Sequence, residues 1–190
     1  MLGRLQQVLA NREVKRIQDK SRELSAVLLP IYVNRSEYYL VFIRRTKQVR
    51  KHKGQISFPG GVYQPEDGTL LNTALRECAE EIGLLANMIE ILGTLDDKIT
   101  EASRYIISPF VAIIPWPYQF KVNTVEVADI IKAPIPALLD KSCLHEKTKV
   151  INGAIATSYF YHCQGRLIWG ATASILHQFL DIFARVTENN

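Results

Sequence analysis

The chain has 190 residues, 47% hydrophobic and 22% charged, which is enough to bury a core and excludes a dominantly disordered polymer. Its greasiest runs, SAVLLPIYV and IISPFVAIIPWP, fall short of the roughly 20 apolar residues a bilayer needs and contain proline, so no membrane helix or membrane partner is expected. The formal net charge of +4 is modest but unevenly placed, because six of the ten residues from 44 to 53 (RRTKQVRKHK) are Lys or Arg.

Cys78, Cys143 and Cys163 form no CxxC pair, which argues against a zinc knuckle or a disulfide framework. They read as small buried hydrophobes in a reducing, cytoplasmic setting. The first residues lack a long apolar stretch and the final TENN is no sorting tripeptide, so secretory or peroxisomal targeting is not expected.

Along the chain, residues 2–23 carry Leu2, Leu5, Val8 and Leu9 among many charges and read as a surface helix outside the sheet. SAVLLPIYV (25–33) and YYLVFI (38–43) flank the polar turn NRSE and predict a hairpin, with Pro30 at an edge or bulge. QISF (55–58) predicts a short strand running into the turn PGG. From about Thr69 to Ile82, Leu71, Leu75, Cys78 and Ile82 form one apolar helical stripe that Gly83 is placed to stop. Further strands are predicted at 89–95, 105–114 and 157–162, and a final helix at about 171–186.

The 69–82 helix also carries Arg76, Glu77, Glu80 and Glu81. The three carboxylates span an arc of about 100° to one side of the stripe. In water such neighbours repel by a few tenths of a kcal/mol per pair. A divalent cation reverses that sign, and clustered hard oxygens suit Mg²⁺ or Mn²⁺ bridging to substrate phosphates. Alone, the helix reads more readily as a charged solvent face with Arg76 as counter-ion, and the basic run equally well as a solvated loop. Together with the bare glycine turn between them, they describe an anion clamp, an approachable backbone and a metal-binding face.

The segment GGVYQPEDGTLLNTALRECAEEIGL resembles the Nudix box, G-x5-E-x7-R-E-U-x-E-E-x-G-U with U apolar. RECAEEIGL fits every defined position, with Cys78 and Leu84 as the first and last U. Gly61 lies fifteen residues before Arg76, one more than in the standard box, so Asp67 or Glu66 stands near the place of the early Glu. Upstream, VFIRRTKQVRKHKGQISFPGG is similar to the second motif of the coenzyme A pyrophosphatase branch, LLTxR[SA]x3Rx3Gx3FPGG. Arg45, Arg50, Gly54, Phe58, Pro59, Gly60 and Gly61 match in register, and Thr46 replaces Ser or Ala. The resemblance covers about residues 25–183.

This resemblance implies an α/β (α+β) fold, the Nudix-type α/β/α sandwich with a mixed β-sheet, as a domain over 24–190 behind an N-terminal helical extension over 1–23. It implies metal-dependent hydrolysis of the diphosphate of coenzyme A or its derivatives, giving 3′,5′-ADP and 4′-phosphopantetheine compounds. Glu77, Glu80 and Glu81 would be metal ligands and activate water, the Gly60 carbonyl would complete the metal shell, and Arg76 would hold the carboxylates. Glu126 would be a loop ligand or base, and Arg45, Arg50, Gly60 and Gly61 would bind substrate. Another nucleoside diphosphate derivative such as ADP-ribose, or a non-catalytic nucleotide-binding module, remains open. The expected partner is a small nucleotide and a homodimer is possible. Nucleic acid is not expected, since no aromatic stacking motif accompanies the basic run. His52 reads as a loop residue, His145, His162 and His177 as structural, and Trp116 and Trp169 as packing residues that could instead stack on adenine.

Overall fold

In the computed structural model, which describes residues 1–47, 53–100, 104–151 and 154–188, the chain is organised around a forked hairpin. Strands β1 (Glu23–Asn34) and β2 (Glu37–Arg45) are joined by Arg35 and Ser36, at φ of 48° and 69°. Two successive left-handed residues give a tight turn whose twist matches that of the strands. The pair stays in register only from Ile31–Leu40 to Asn34–Glu37. The strands then part. Strand β3 (Ile56–Ser57) takes over the pairing with β2, and β4 (Gly60–Val62) takes over β1. Phe58 and Pro59 therefore lie in the fork, where the Leu28 N–H donates to the Pro59 carbonyl at 2.9 Å.

Pro30 does not sit at an edge or bulge as the sequence suggests. It lies on an interior strand, paired in parallel with Ala112. Strand alternation turns its nitrogen to the same side as that of Leu28, toward the gap between β4 and β2, where no ladder bond is lost.

Strands β5 (Glu90–Thr94) and β6 (Lys98–Ile99) both pair antiparallel with β7 (Tyr105–Ile113), which runs parallel to β1. Strand β8 (Val127–Pro134) joins the other side of β2. The result is a mixed sheet. Strands β9 (Leu144–Ile151), β10 (Ala154–Cys163) and β11 (Arg166–Trp169) make a smaller antiparallel sheet.

Helix α1 (Leu2–Asn11) ends twelve residues before the sequence predicts; it lies outside the sheet and packs on the core through the buried Leu5 and Leu9. Residues 12–17 are drawn out by side chains that outcompete helical bonds. Asp96 accepts from the Lys15 N–H and from Arg12, and Asp97 accepts from the Ile17 N–H and from Arg16. Helix α2 (Leu70–Ile82) covers one sheet face, with Ala74, Cys78 and Ile82 packed on Ala26, Leu28, Val41 and Ile43. Leu71 and Leu75, predicted for that stripe, are only half-buried. On the other face α1, α3 (Ile135–Leu139) and α4 (Gly170–Glu188) bury Leu29, Ile31, Leu40 and Phe42. Helix layers thus enclose the sheet.

A second correction concerns the cysteines. Leu144 pairs with Tyr161 across the β9–β10 hairpin, which brings Cys143 beside Cys163, and the two form a disulfide with Cα atoms 5.3 Å apart. Cys78 is a free buried thiol. No helix among the described residues is long and apolar enough to cross a membrane.

Both ends of α2 are chemically specified. The Thr69 side chain accepts the Asn72 N–H, and Gly83 at φ 68° returns its N–H to Ala79 and Cys78. Thr69→Ala is expected to destabilise the protein by about 1 kcal/mol, read as a lower urea midpoint at unchanged slope.

Candidate active site

Helix α2 positions the acidic residues, and a short turn ahead of it sets their geometry. Pro65–Asp67 forms a single 3₁₀ turn that delivers the Asp67 carboxylate, buried, to the start of the helix. Asp67 accepts from Arg76 Nε at 2.7 Å and Nη2 at 3.2 Å, from Thr73 Oγ1 at 2.8 Å and from the Gln64 N–H at 3.0 Å. Those bonds, Arg76 first, hold its carboxyl well below the usual carboxylate range. Arg76 Nη1 in turn reaches Glu77 at 2.8 Å and Glu80 at 3.0 Å, and Nη2 reaches the Val62 carbonyl at 3.1 Å. One guanidinium therefore fixes the turn, β4 and two helical carboxylates. Of the two acids near the early box position, Asp67 is the one that bonds Arg76.

The three glutamates occupy different environments. Glu80 is 56% exposed at its side chain and Glu77 14% exposed. Glu81 is only 1% exposed, so it does not lie clear of the core side of the helix as the helical arc suggests. Its Oε2 accepts the Gly60 N–H at 3.0 Å and its Oε1 accepts Arg45 Nη1 at 3.1 Å. Burial pushes the Glu81 carboxyl up to about 8 against the pull of Gly60 and Arg45, and the charges of Glu77 and Glu126 add to the rise. Burial likewise raises Glu77 against the opposing Arg76, with Glu80 and Glu126 adding.

The glycines of the fork are shaped by these contacts. Gly60, at φ 153°, packs so closely on β1 that a Cβ would meet the Ala26 carbonyl oxygen and Val27. A Cβ on Gly61 would run into the Glu77 carboxylate. Gly61→Ala is therefore expected to displace Glu77 and lower kcat by about tenfold or more at nearly unchanged stability, checked by kinetics beside thermal melts.

Glu126 arrives from a separate loop. The Lys121 and Asn123 N–H groups donate to the Ile82 and Glu81 carbonyls at 3.0 and 2.9 Å, laying this loop across the end of α2. The Thr46 N–H then donates to the Glu126 carbonyl, and Thr46 Oγ1 to the Val125 carbonyl, each at 2.8 Å. Glu126 is thus brought close enough for its charge to raise both Glu77 and Glu81. Thr46, Asn123 and Thr73 escape sequence reasoning because they act through backbone contacts or a neighbouring carboxylate that only the fold brings together.

Of the residues expected to bind substrate, Gly60 and Gly61 line the fork and Arg45 directs its guanidinium at Glu81. Arg50 and His52 lie outside the described residues. His145 and His162 contact each other edge-on, and His177 Nδ1 lies 3.0 Å from the Tyr161 hydroxyl, in keeping with structural roles.

The donor set suits a hard divalent cation. Glu77, Glu80, Glu81 and Glu126 offer only oxygen, and burial with the charges of neighbouring carboxylates raises Glu77 and Glu81 despite Arg76 and Arg45. Among the described residues no three acidic, imidazole or thiol side chains already form a metal cage. Arg45 and Arg76 hold Glu77, Glu80 and Glu81 instead.

Comparison with known proteins agrees with this geometry. A profile of the NUDIX domain matches residues 22–131. The chain is 37% identical over 164 residues to a Nudix hydrolase of Photorhabdus laumondii, NudL, itself uncharacterized, covering 86% of each chain. Among solved structures, a MutT/nudix family protein from Enterococcus faecalis superposes with a TM-score of 0.57 at 13% identity, over 99% of this chain and 70% of the other. The NUDIX domain of Shewanella oneidensis NrtR, crystallised with ADP ribose, does so with a TM-score of 0.51 at 20% identity, over 70% and 84%.

Proposed function

This chain belongs to the NUDIX family, whose hydrolases cleave pyrophosphate bonds in nucleoside diphosphate derivatives with the help of divalent metals, and we propose that its own substrate is coenzyme A or a derivative. The products would be 3′,5′-ADP and a 4′-phosphopantetheine compound. The observation that carries the reading is the fork, where the FPGG turn, Arg45 from the end of β2 and the α2 carboxylates meet. That meeting gives physical sense to the paired motifs, since the turn and the box form one site.

A diphosphate resists hydrolysis because its oxygens repel an incoming nucleophile. Glu77, Glu80 and Glu81 would hold Mg²⁺ or Mn²⁺, and the chemistry such a cation supplies is neutralisation of the diphosphate oxygens and acidification of water. The Gly60 carbonyl would supply a further oxygen, next to the Gly60 N–H that Glu81 accepts. Glu126, on its own loop, would take the proton of the attacking water. The bridging oxygen would then depart with the other phosphate, and Arg45 would meet the charge that develops there. Arg76 and Asp67 hold the carboxylates in one arrangement and so reduce reorganisation during the reaction.

Coenzyme A carries a 3′-phosphate beyond its diphosphate, which favours an approach lined with Arg and Lys. The test is a substrate panel of coenzyme A, acyl-coenzyme A, ADP-ribose and nucleoside triphosphates with Mg²⁺ or Mn²⁺, with products identified by mass spectrometry. Release of 3′,5′-ADP, abolished by EDTA, is the expected result. Faster turnover of ADP-ribose with coenzyme A left intact would overturn the substrate assignment and keep the reaction class.

A further inference from the structure

Arg44 and Arg45 are successive residues of β2 and point to opposite faces of the sheet. Arg45 meets Glu81 on the α2 side. Arg44 lies on the other side, in register with Ile56 of β3 and Asp129 of β8, so these three side chains stand in a row. Strand β11 faces them across a cleft of about 510 Å³ and contributes Arg166, Leu167 and Trp169. The carboxylate site lies behind the sheet from this cleft and shares none of its side chains.

The lining has a specific chemistry. Ile56 and Ile131 give a buried apolar floor, while Trp169 is 46% exposed, unusual for so large an aromatic surface. Two guanidiniums, Arg44 and Arg166, flank this apolar wall. The contact of Arg44 with Asp129 is 3.8 Å between half-exposed groups, a screened pair that a better anion can displace. Among the described residues, a Cβ on Gly54 or on Gly165 at the rim would meet nothing within 4 Å. A flat apolar face beside two guanidiniums, with a single carboxylate able to accept from an amine or hydroxyl, fits a planar aromatic group that carries phosphate. The volume is within the range of small-molecule pockets.

We propose that this second cleft binds a nucleotide, with Arg44 and Arg166 on the phosphate and the Trp169 indole stacked on the base. The proposal does not depend on which diphosphate the carboxylate site cleaves. The experiment is titration of the full chain with 5′-AMP in EDTA, read by calorimetry and by tryptophan fluorescence. Saturable binding is expected, with quenching that Trp169→Phe largely removes. Arg44→Ala and Arg166→Ala should each weaken it about tenfold, whereas Glu81→Gln should leave Kd within about twofold, because Glu81 lies on the other face. Adenosine alone and inorganic phosphate alone should each bind at least about tenfold more weakly than 5′-AMP. The substituted cleft residues are substantially exposed, and thermal melts verify that each variant is folded. Absence of saturable binding, phosphate binding as tightly as 5′-AMP, or affinity that follows Glu81→Gln and ignores Arg166→Ala would each overturn the assignment.

Discussion

Glu81→Gln is expected to lower kcat by about a hundredfold or more while the protein stays folded, the scale on which loss of one charge-stabilising group acts in a preorganised site. Glu81 is the most enclosed carboxylate of the cluster and the one that ties the fork to the helix, through the Gly60 N–H and Arg45. Glutamine has the same size and its carbonyl oxygen still accepts the Gly60 N–H, so the fork keeps its shape. What is lost is the ability to ionise against a bound divalent cation, and with it the attraction for that cation. Burial already raises the Glu81 carboxyl to about 8, so without metal it is largely neutral at pH 7, and replacing it with a neutral amide should leave Tm in the absence of metal within a few degrees. Glu80→Gln should also reduce kcat, by about tenfold or more, with no change in Tm because this side chain is mostly exposed. Steady-state kinetics at saturating Mg²⁺ beside thermal melts separate the two effects. Full activity in either variant would remove that residue from the metal-binding set.

Sequence legibility followed local physical signals. Helix α2 was readable at both ends because Thr69 and Gly83 are caps with side-chain or backbone reasons of their own, and the hairpin was readable from its polar turn. Strand β9 was not, since the side chains from His145 to Val150 are exposed on both faces and show no alternation. The end of α1 was hidden because the competing acceptors, Asp96 and Asp97, come from a distant part of the chain. The same division holds at the site. Glu77, Glu80, Glu81 and Arg76 share one helix, and their spacing alone places them together. The burial of Glu81 was not readable, because it depends on Gly60 and Arg45 converging from the two sides of the fork. Disulfide pairing of Cys143 with Cys163 was invisible for a similar reason, resting on the register of a hairpin whose strands are poorly marked in sequence.

Asp67→Asn is expected to destabilise the protein by about 2–4 kcal/mol at neutral pH and to lower kcat as well, from the loss of a buried, multiply hydrogen-bonded charge. The lengthened loop between Gly61 and Arg76 lets this shorter acid come down on the start of α2, where it takes four hydrogen bonds in a buried position. An asparagine amide has one accepting oxygen and a donating NH2, so either Arg76 Nε or the Thr73 and Gln64 donors lose a partner. Arg76 then turns toward Glu77 and Glu80 alone, and the catalytic face loses its anchor to the loop. The pH dependence separates an ion pair from simple packing. Asp67 is depressed in the folded protein, so its contribution is fully present above the unfolded value of about 3.9 and is lost as pH falls below it toward the folded value. Urea denaturation should therefore give a stability gap between wild type and Asp67→Asn that is constant from about pH 8 to 5 and shrinks below about pH 4. Equal stability at neutral pH, or a gap that persists undiminished into strong acid, would show that Asp67 acts through shape and not through its charge on Arg76.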